Sequence, residues 1–159
     1  MKRFTILAAV AAAGCASIEV PATLKPGANE KLAMVVPARG VQIYECREGK
    51  WAFVAPEADL FDTKGKLIGR HYAGPHWEAA DGSRVSASVK SRADAPAAGA
   101  IPWLLLSAKS AGPEGAFSRV SSIQRVSTAG GVAPGGGCVT AGEKARIAYT
   151  ADYYFFTAK

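Results

Sequence analysis

Short strand-like segments with turn residues between them run through most of this sequence, and they constrain its fold more than any other feature. In the clearest segment, 84–90, Val85, Ala87 and Val89 alternate with polar or charged side chains. A period of two is typical of a strand with one buried and one wet face. No segment shows a sustained helical period with capping residues. We therefore predict an all-β fold, a single-domain β-sandwich or barrel.

The remaining predicted strands alternate in the same way or are continuous apolar runs, and they cover residues 32–36, 40–46, 51–55, 66–72, 101–108, 117–128 and 145–157. Glu48, Gly49 and Lys50 have the polarity of a hairpin turn. The apolar run over 101–108 favours a strand buried on both faces, with a short helix as the alternative. The glycine-rich segment 130–137 is interpreted as a flexible connection, because no Gly-Lys-Ser/Thr sequence follows it to form a phosphate-binding loop.

The N-terminus has the order of an export signal. Lys2 and Arg3 precede the segment 4–14, which is apolar or small apart from Thr5. This segment is too short to span a bilayer, which takes about 20 apolar residues, but it has the length of a signal-peptide core. We predict that residues 1–14 are a signal peptide, residues 15–30 a polar, proline-bearing tether, and residues 31–159 a single β-domain.

Cys15 follows Ala12, Ala13 and Gly14, and this order resembles the lipobox of bacterial lipoproteins, although leucine is commoner than Ala12 at the first position. The resemblance implies that Cys15 becomes the acylated first residue and holds the protein at a membrane. Cleavage of an ordinary signal peptide near this point is the alternative. Either way the predicted location is the bacterial cell envelope, as a periplasm-facing lipoprotein or a secreted protein.

The charge of the chain argues against a nucleic-acid partner. The formal net charge is +6, and two of the positive charges, Lys2 and Arg3, belong to the predicted signal peptide. The remainder carries no long run of like charges and no basic stripe with interleaved aromatic residues, which a nucleic-acid surface needs.

Two cysteines remain after Cys15. They are Cys46 and Cys138, and an even pair in an exported domain predicts a disulfide. Two free, buried thiols are the alternative. A metal site is less well supported, because neither cysteine has a C-x-x-C partner.

Chemistry-bearing side chains concentrate in the segment 71–83, which holds both histidines of the chain, His71 and His76. If the Gly-Pro pair at 74–75 makes a tight turn, the two imidazoles lie on facing strand ends, and Glu78 shares the face of His76. Such a set suits a metal ion, or acid–base work by a His–Glu pair. The simpler interpretation is a β-corner, in which Trp77 packs inside and Asp81 starts a second turn.

We list as ligand-binding candidates His71, Tyr72, His76, Trp77, Glu78 and Asp81. Of these, His71, Glu78 and Asp81 are weak catalytic candidates, and no metal or cofactor is predicted. Trp51, Trp77 and Trp103 also suggest a platform for sugar rings, although aromatic residues in a small β-domain are more often core. No G-x-S-x-G motif supports a nucleophilic serine.

Several short motifs follow one another between residues 24 and 157. They include G-V-Q-I-Y-x-C at 40–46, H-Y-A-G-P-x-W-E at 71–78, I-P-W-L-L at 101–105, I-Q-R at 123–125, G-C at 137–138 and Y-T-A-D-Y-Y-F at 149–155. Together they resemble the uncharacterised family catalogued as domain of unknown function 3455. The resemblance implies a secreted protein and a Cys46–Cys138 bridge, and it supplies no reaction. The family pattern has threonine where His76 stands, which weakens a two-histidine metal site.

The sequence therefore predicts an exported cell-envelope protein of unknown biochemical activity. We expect a non-enzymatic binding or structural β-domain whose partner, besides the membrane, is an envelope glycan or protein. The alternative is a metal-dependent or acid–base enzyme centred on residues 71–83.

Overall fold

The computed structural model describes residues 18–159, which form a closed, eight-stranded antiparallel barrel. Each strand pairs with the next one along the chain, and the last pairs with the first. The strands are β1 (Glu30–Arg47), β2 (Lys50–Phe61), β3 (Leu67–Tyr72), β4 (His76–Ala79), β5 (Arg84–Ala93), β6 (Trp103–Ser110), β7 (Val120–Gly130) and β8 (Lys144–Ala158). The predicted all-β fold is confirmed, and of its two forms the barrel is the one observed.

The predicted signal peptide, residues 1–14, and the predicted lipidation site, Cys15, lie outside the described residues. In the part of the chain that is described, no helix has the length and apolar character needed to cross a bilayer.

Two predicted segments, 32–36 and 40–46, form one long strand, β1, rather than two. The strand continues through Pro37 and Gly40, which pair with Asp152 and Tyr149 of β8. Gly40 also allows β2 to lie very close, because a Cβ atom there would collide with the backbone of Glu57. Gly40 therefore marks a close strand contact, and neither Pro37 nor Gly40 ends the strand.

The segment predicted as a β-corner contains a short strand, β4. It pairs with β3 on one side and β5 on the other, and His71 lies opposite Trp77 while Tyr72 lies opposite His76. The turn between β3 and β4 contains Gly74, whose φ of 122° favours glycine. The predicted tight turn, the inward packing of Trp77 and the second turn at Asp81 are confirmed, and the short paired strand between the two turns was not predicted.

Alternate side chains of the strands fill the barrel interior. The largest that are fully buried there are Trp77, Tyr153, Phe155, Leu60, Ile123, Val36 and Val85. Phe117, from the loop between β6 and β7, closes one end of the barrel. Its ring packs edge-on against Phe155 with centroids 4.9 Å apart, and its N–H donates to Ser83 Oγ at 3.0 Å. We call this the closed end.

A second apolar cluster lies on the outer wall, around Trp103, Leu105 and Val126. It is covered by a single 3-10 turn, Ala22–Leu24, in which Leu24 is fully buried. Gln124 Nε2 donates to Leu24 O at 2.6 Å. The described part of the predicted tether is therefore packed on the barrel, and the first half of β6, residues 103–106, is largely buried on both faces, as its apolar run predicts.

The opposite end of the barrel, which we call the mouth end, carries the β1–β2 hairpin, the turn 73–75 and the loops 94–102 and 131–143. Glu48 and Gly49 both have positive φ, as a two-residue hairpin turn requires. The predicted disulfide is confirmed. Cys46, near the end of β1, is bonded to Cys138 in the loop 131–143, with Cα atoms 5.7 Å apart.

Candidate functional site

The predicted ligand-binding residues lie on different faces of the barrel wall. His71 and Trp77 point inward and are buried, whereas Tyr72, His76 and Glu78 are partly exposed on the outside. The shared face of His76 and Glu78 is therefore as predicted. The prediction that both histidines converge with Glu78 is wrong, because strand alternation puts the His71 side chain on the other side of the barrel wall.

His71 is held in the interior as a neutral imidazole. Its ring stacks on Trp77 with centroids 4.0 Å apart and planes 13° apart, and Nδ1–H donates to His76 O at 2.8 Å. Burial lowers the pKa of His71 from 6.5 to about 3. An imidazole that stays neutral and enclosed in this way is a packing residue and not a proton carrier near neutral pH.

Glu78 belongs to a polar network on the outer wall. Tyr72 donates its hydroxyl proton to Glu78 Oε2 at 2.6 Å, and Arg84 Nη1 lies 3.5 Å from the same oxygen. The hydrogen bond from Tyr72 and the charge of Arg84 lower the pKa of the Glu78 carboxyl. The ring of Tyr72 also stacks on His76. Glu78 is thus an ionised surface carboxylate.

Asp81 ties two loops of the closed end together. Its carboxylate accepts the N–H and hydroxyl protons of Ser83 at 2.9 and 2.6 Å, and the N–H of Ala116 at 2.8 Å. These bonds lower the pKa of Asp81. Its geometry is that of a turn residue. Within residues 18–159, no three His, Cys, Asp or Glu side chains lie close enough to hold a metal ion.

A cavity of about 130 Å³, the mouth cavity, lies inside the barrel toward the mouth end. Its inner walls are Gln42, Trp77, Leu104, Leu106, Arg125 and Tyr153, and its edge is formed by Phe53, Pro56, Pro75 and Val89. Phe53 and Val89 are 53% and 58% exposed, so the edge is apolar and open to water. Large apolar side chains left exposed beside a cavity are typical of a binding site.

Two of the residues that line this cavity each carry a buried donor without an acceptor. Gln42 Nε2 and Trp77 Nε1 have no hydrogen-bond partner within the described chain, although their residues are only 3% and 2% exposed. An unpaired buried donor costs about 1–3 kcal/mol, and most buried polar groups avoid it. The one further unpaired buried side-chain donor of residues 18–159, Trp103 Nε1, belongs to the outer cluster.

Arg125 brings a positive charge to the same cavity. Its Nε and Nη2 both donate to one carbonyl, Pro102 O, at 3.1 and 2.8 Å. None of the ion pairs formed by residues 18–159 includes Arg125. A guanidinium has five N–H donors, so this group retains donors for another partner.

A larger, open groove of about 570 Å³ crosses the outer wall from β8 to β4. The charged residues and the tyrosine that line it are Arg39, Arg70, Arg146, Glu57, Asp59, Glu78 and Tyr72. Arg146 pairs with Glu57, and Arg70 lies 3.8 Å from Glu78. Most of these charges thus have a partner already.

The family model described as "Protein of unknown function (DUF3455)" matches residues 26–157. The chain belongs to this family. The resemblance in the sequence motifs is therefore confirmed, and the matched range includes nearly all of the barrel. No curated protein and no solved structure matches the chain. The family description names no activity.

Of the residues predicted to bind a ligand, only Trp77 lines the mouth cavity, and it does so beside Gln42 and Arg125, which the prediction omits. Trp77 and Trp103 are buried, so a platform of three exposed tryptophans with Trp51 is not observed. Gln42 has the parity of the core residues Val36 and Ala38 on β1, and Arg125 has that of Ile123 on β7, but the sequence does not show which face of either strand is inside.

Proposed function

We propose that this protein is a non-enzymatic binding protein of the bacterial cell envelope that holds one small molecule in the mouth cavity. The observation that carries the proposal is that two residues lining one cavity, Gln42 and Trp77, each have a buried, unpartnered donor, Nε2 and Nε1 respectively. An eight-stranded barrel is wide enough to hold a single small ligand. The apolar walls with a few polar groups match the usual composition of such sites.

The positions of the candidate acid–base residues favour binding over catalysis. His71 is neutral, enclosed and hydrogen-bonded, and Glu78 lies on the other face of the wall. General acid–base work needs a proton donor and an acceptor within reach of the same substrate atom. Among residues 18–159, those that line the mouth cavity include no carboxylate and no imidazole.

A fluorescent apolar anion, 8-anilinonaphthalene-1-sulfonate, tests the proposal. We expect saturable binding to the mature protein at one probe per chain. Leu104→Trp fills the cavity and should abolish the binding, whereas Leu32→Trp, at a site on β1 that is 49% exposed, should leave it unchanged. Circular dichroism would check that both variants are folded. Equal binding by natural protein and folded Leu104→Trp would overturn the proposal.

The envelope location is part of the proposal and is supported by two features. Lys2, Arg3 and the apolar segment 4–14 lead to Cys15 in lipobox order. The Cys46–Cys138 disulfide suits an oxidising compartment. Mass spectrometry of protein from bacterial membranes should find acylated Cys15 as the first residue, and Cys15→Ala should move the protein to the soluble fraction. A Cys15→Ala variant that stays with the membrane would rule out the lipid anchor.

The outer groove supports a second candidate function, contact with an envelope polymer. It is long, open and lined by both signs of charge, and Arg39 and Asp59 take part in none of the ion pairs of residues 18–159. Co-sedimentation with purified peptidoglycan tests it. Arg39→Glu should reduce sedimentation, and Arg119→Glu, with a side chain 85% exposed near the closed end, should not. Equal sedimentation of the two variants would remove this candidate.

A further inference from the structure

We propose that the mouth cavity takes the carboxylate of a small amphipathic acid, with Arg125 as its counter-ion and with Gln42 and Trp77 as neutral donors. The inference rests on the proposed function of the cavity and names its ligand class.

The positive charge of Arg125 in the cavity favours an anionic ligand. Arg125 lines the cavity and is only partly exposed, and its hydrogen bonds end on a neutral carbonyl, Pro102 O. Within residues 18–159 it has no acidic partner. A guanidinium drawn out of water without a counter-charge is unfavourable, and a bound anion would neutralise it.

The donor set matches a planar monoanion. Gln42 Nε2 and Trp77 Nε1 each lack an acceptor, and Arg125 keeps donors in its fork. A carboxylate is acceptor-only, with two oxygens and about four lone-pair sites, so it offers enough acceptor sites for all three groups. One positive charge in the lining is balanced by one negative charge, which favours a carboxylate over a dianionic phosphate.

The remainder of the site favours an apolar body on this acid. At about 30 Å³ per water in the liquid, a cavity of about 130 Å³ holds the volume of only a few waters, enough for a carboxylate and several carbons. Leu104 and Leu106 provide apolar walls, and the exposed side chains of Phe53 and Val89 extend this surface at the edge. An acyl chain or an aromatic ring would lie against this apolar edge.

Calorimetric titration with three probes of equal chain length tests the inference. Decanoate should bind the mature protein at one per chain, decanol should bind about 10- to 100-fold more weakly, and decyltrimethylammonium should not bind. The range corresponds to about 1.4–2.8 kcal/mol, which is the size of a charge-assisted hydrogen bond. A parallel titration with 3-phenylpropanoate distinguishes an acyl acid from an aromatic one, because the acid that binds with the lower Kd shows which kind of apolar body the site accepts.

Four variants locate the effect. Arg125→Gln should reduce decanoate affinity to that of decanol, and Arg125→Lys should keep the preference for the acid because it keeps the charge. Arg119→Gln, at the exposed closed end, should bind as the natural protein does. Gln42→Met should weaken decanoate binding and leave decanol binding nearly unchanged, which a purely structural role for Gln42 would not do.

The outcomes separate this inference from the proposed function. If decanoate and decanol bind equally and both are lost in Leu104→Trp, the cavity is a binding site and the carboxylate assignment is wrong. If no probe binds, including the fluorescent anion, the proposed function fails as well. If Arg125→Gln proves unfolded, a decanol affinity equal to that of decanoate in the natural protein still overturns the assignment.

Discussion

His71 couples the stability of the barrel to pH. Burial lowers its pKa from 6.5 to about 3. Below pH 6.5 the imidazole is therefore protonated in the unfolded chain and still neutral in the folded chain. The stabilisation is therefore complete above pH 6.5 and is lost as the pH falls toward 3. We expect the free energy of unfolding to decrease by up to about 1.4 kcal/mol per pH unit in this window. In His71→Phe, urea unfolding between about pH 6.5 and 4.5 should lose most of this slope.

In the upper part of this pH window the slope reports His71 and not the carboxylates. Glu30, Glu78 and Asp81 have pKa values lowered below their ordinary 4.5 or 3.8, so they change the free energy of unfolding at lower pH. His76→Thr is the matched control. It keeps His71, and the carbonyl that His71 binds belongs to the backbone, so the slope should persist. A slope that disappears in His76→Thr and persists in His71→Phe would contradict the assignment.

Of the residues that line the mouth cavity, Trp77 could be predicted from the sequence and Arg125 could not. Trp77 is predictable because a tryptophan beside a Gly-Pro turn is typical of a buried corner. Arg125 has the parity of Ile123 on β7, yet parity alone does not say which face of a strand is inside. Its importance depends on Gln42 and Trp77, which lie on other strands and meet it only when the barrel closes.

Strands that show alternation or a continuous apolar run in the sequence were predictable, and the shortest strand was not. The alternation over 84–90 lies within β5, Arg84–Ala93, in which Val85 is buried and Ala87 is half-buried, whereas Val89 is exposed beside a register shift. The four residues of β4 are too few to show a period, and the Gly-Pro pair before them favoured a corner. The burial of both faces in the first half of β6 was predictable from its apolar run, but the identity of the segment that covers its outer face was not, because Leu24 lies about eighty residues earlier in the sequence.

Leu24 gives a test of whether the segment before β1 is a tether or part of the fold. Its side chain is fully buried against Trp103, Leu105 and Val126. Leu24→Ala removes this packing and should lower the free energy of unfolding by about 2–5 kcal/mol in urea titrations. Lys25→Ala, at the exposed neighbour, should change it by less than about 0.5 kcal/mol.

If the segment before β1 is instead a free tether, a different result is expected. Leu24→Ala and Lys25→Ala would then have the same small effect, because neither side chain would lose contacts on unfolding. Equal unfolding midpoints for the two variants would therefore show that the packed 3-10 turn does not contribute to stability in solution.

Closure of the barrel is a property of the whole molecule that the sequence left open. Alternation shows that each strand has a buried face, and this is equally true of a sandwich and of a barrel. The difference lies in the pairing of β1 with β8, which joins Glu30 to Ala158 and Glu45 to Lys144 across almost the entire chain. Such long-range pairing depends on side-chain packing of all strands together, and no local pattern specifies it.

The Cys46–Cys138 bridge adds a covalent link to this closure, and its removal is the test at the scale of the whole molecule. It spans 92 residues of sequence and fastens the loop 131–143 to the β1–β2 hairpin. Cys46→Ser with Cys138→Ser should lower the free energy of unfolding by about 2–5 kcal/mol, mainly because the unfolded chain gains freedom. Far-ultraviolet circular dichroism should stay that of the barrel, since the β1–β8 ladder remains. Dithiothreitol should destabilise the natural protein by the same amount and leave the double variant unchanged. If the double variant unfolds at the same urea concentration as the oxidised natural protein, the bridge adds no stability to a barrel that its hydrogen bonds already close.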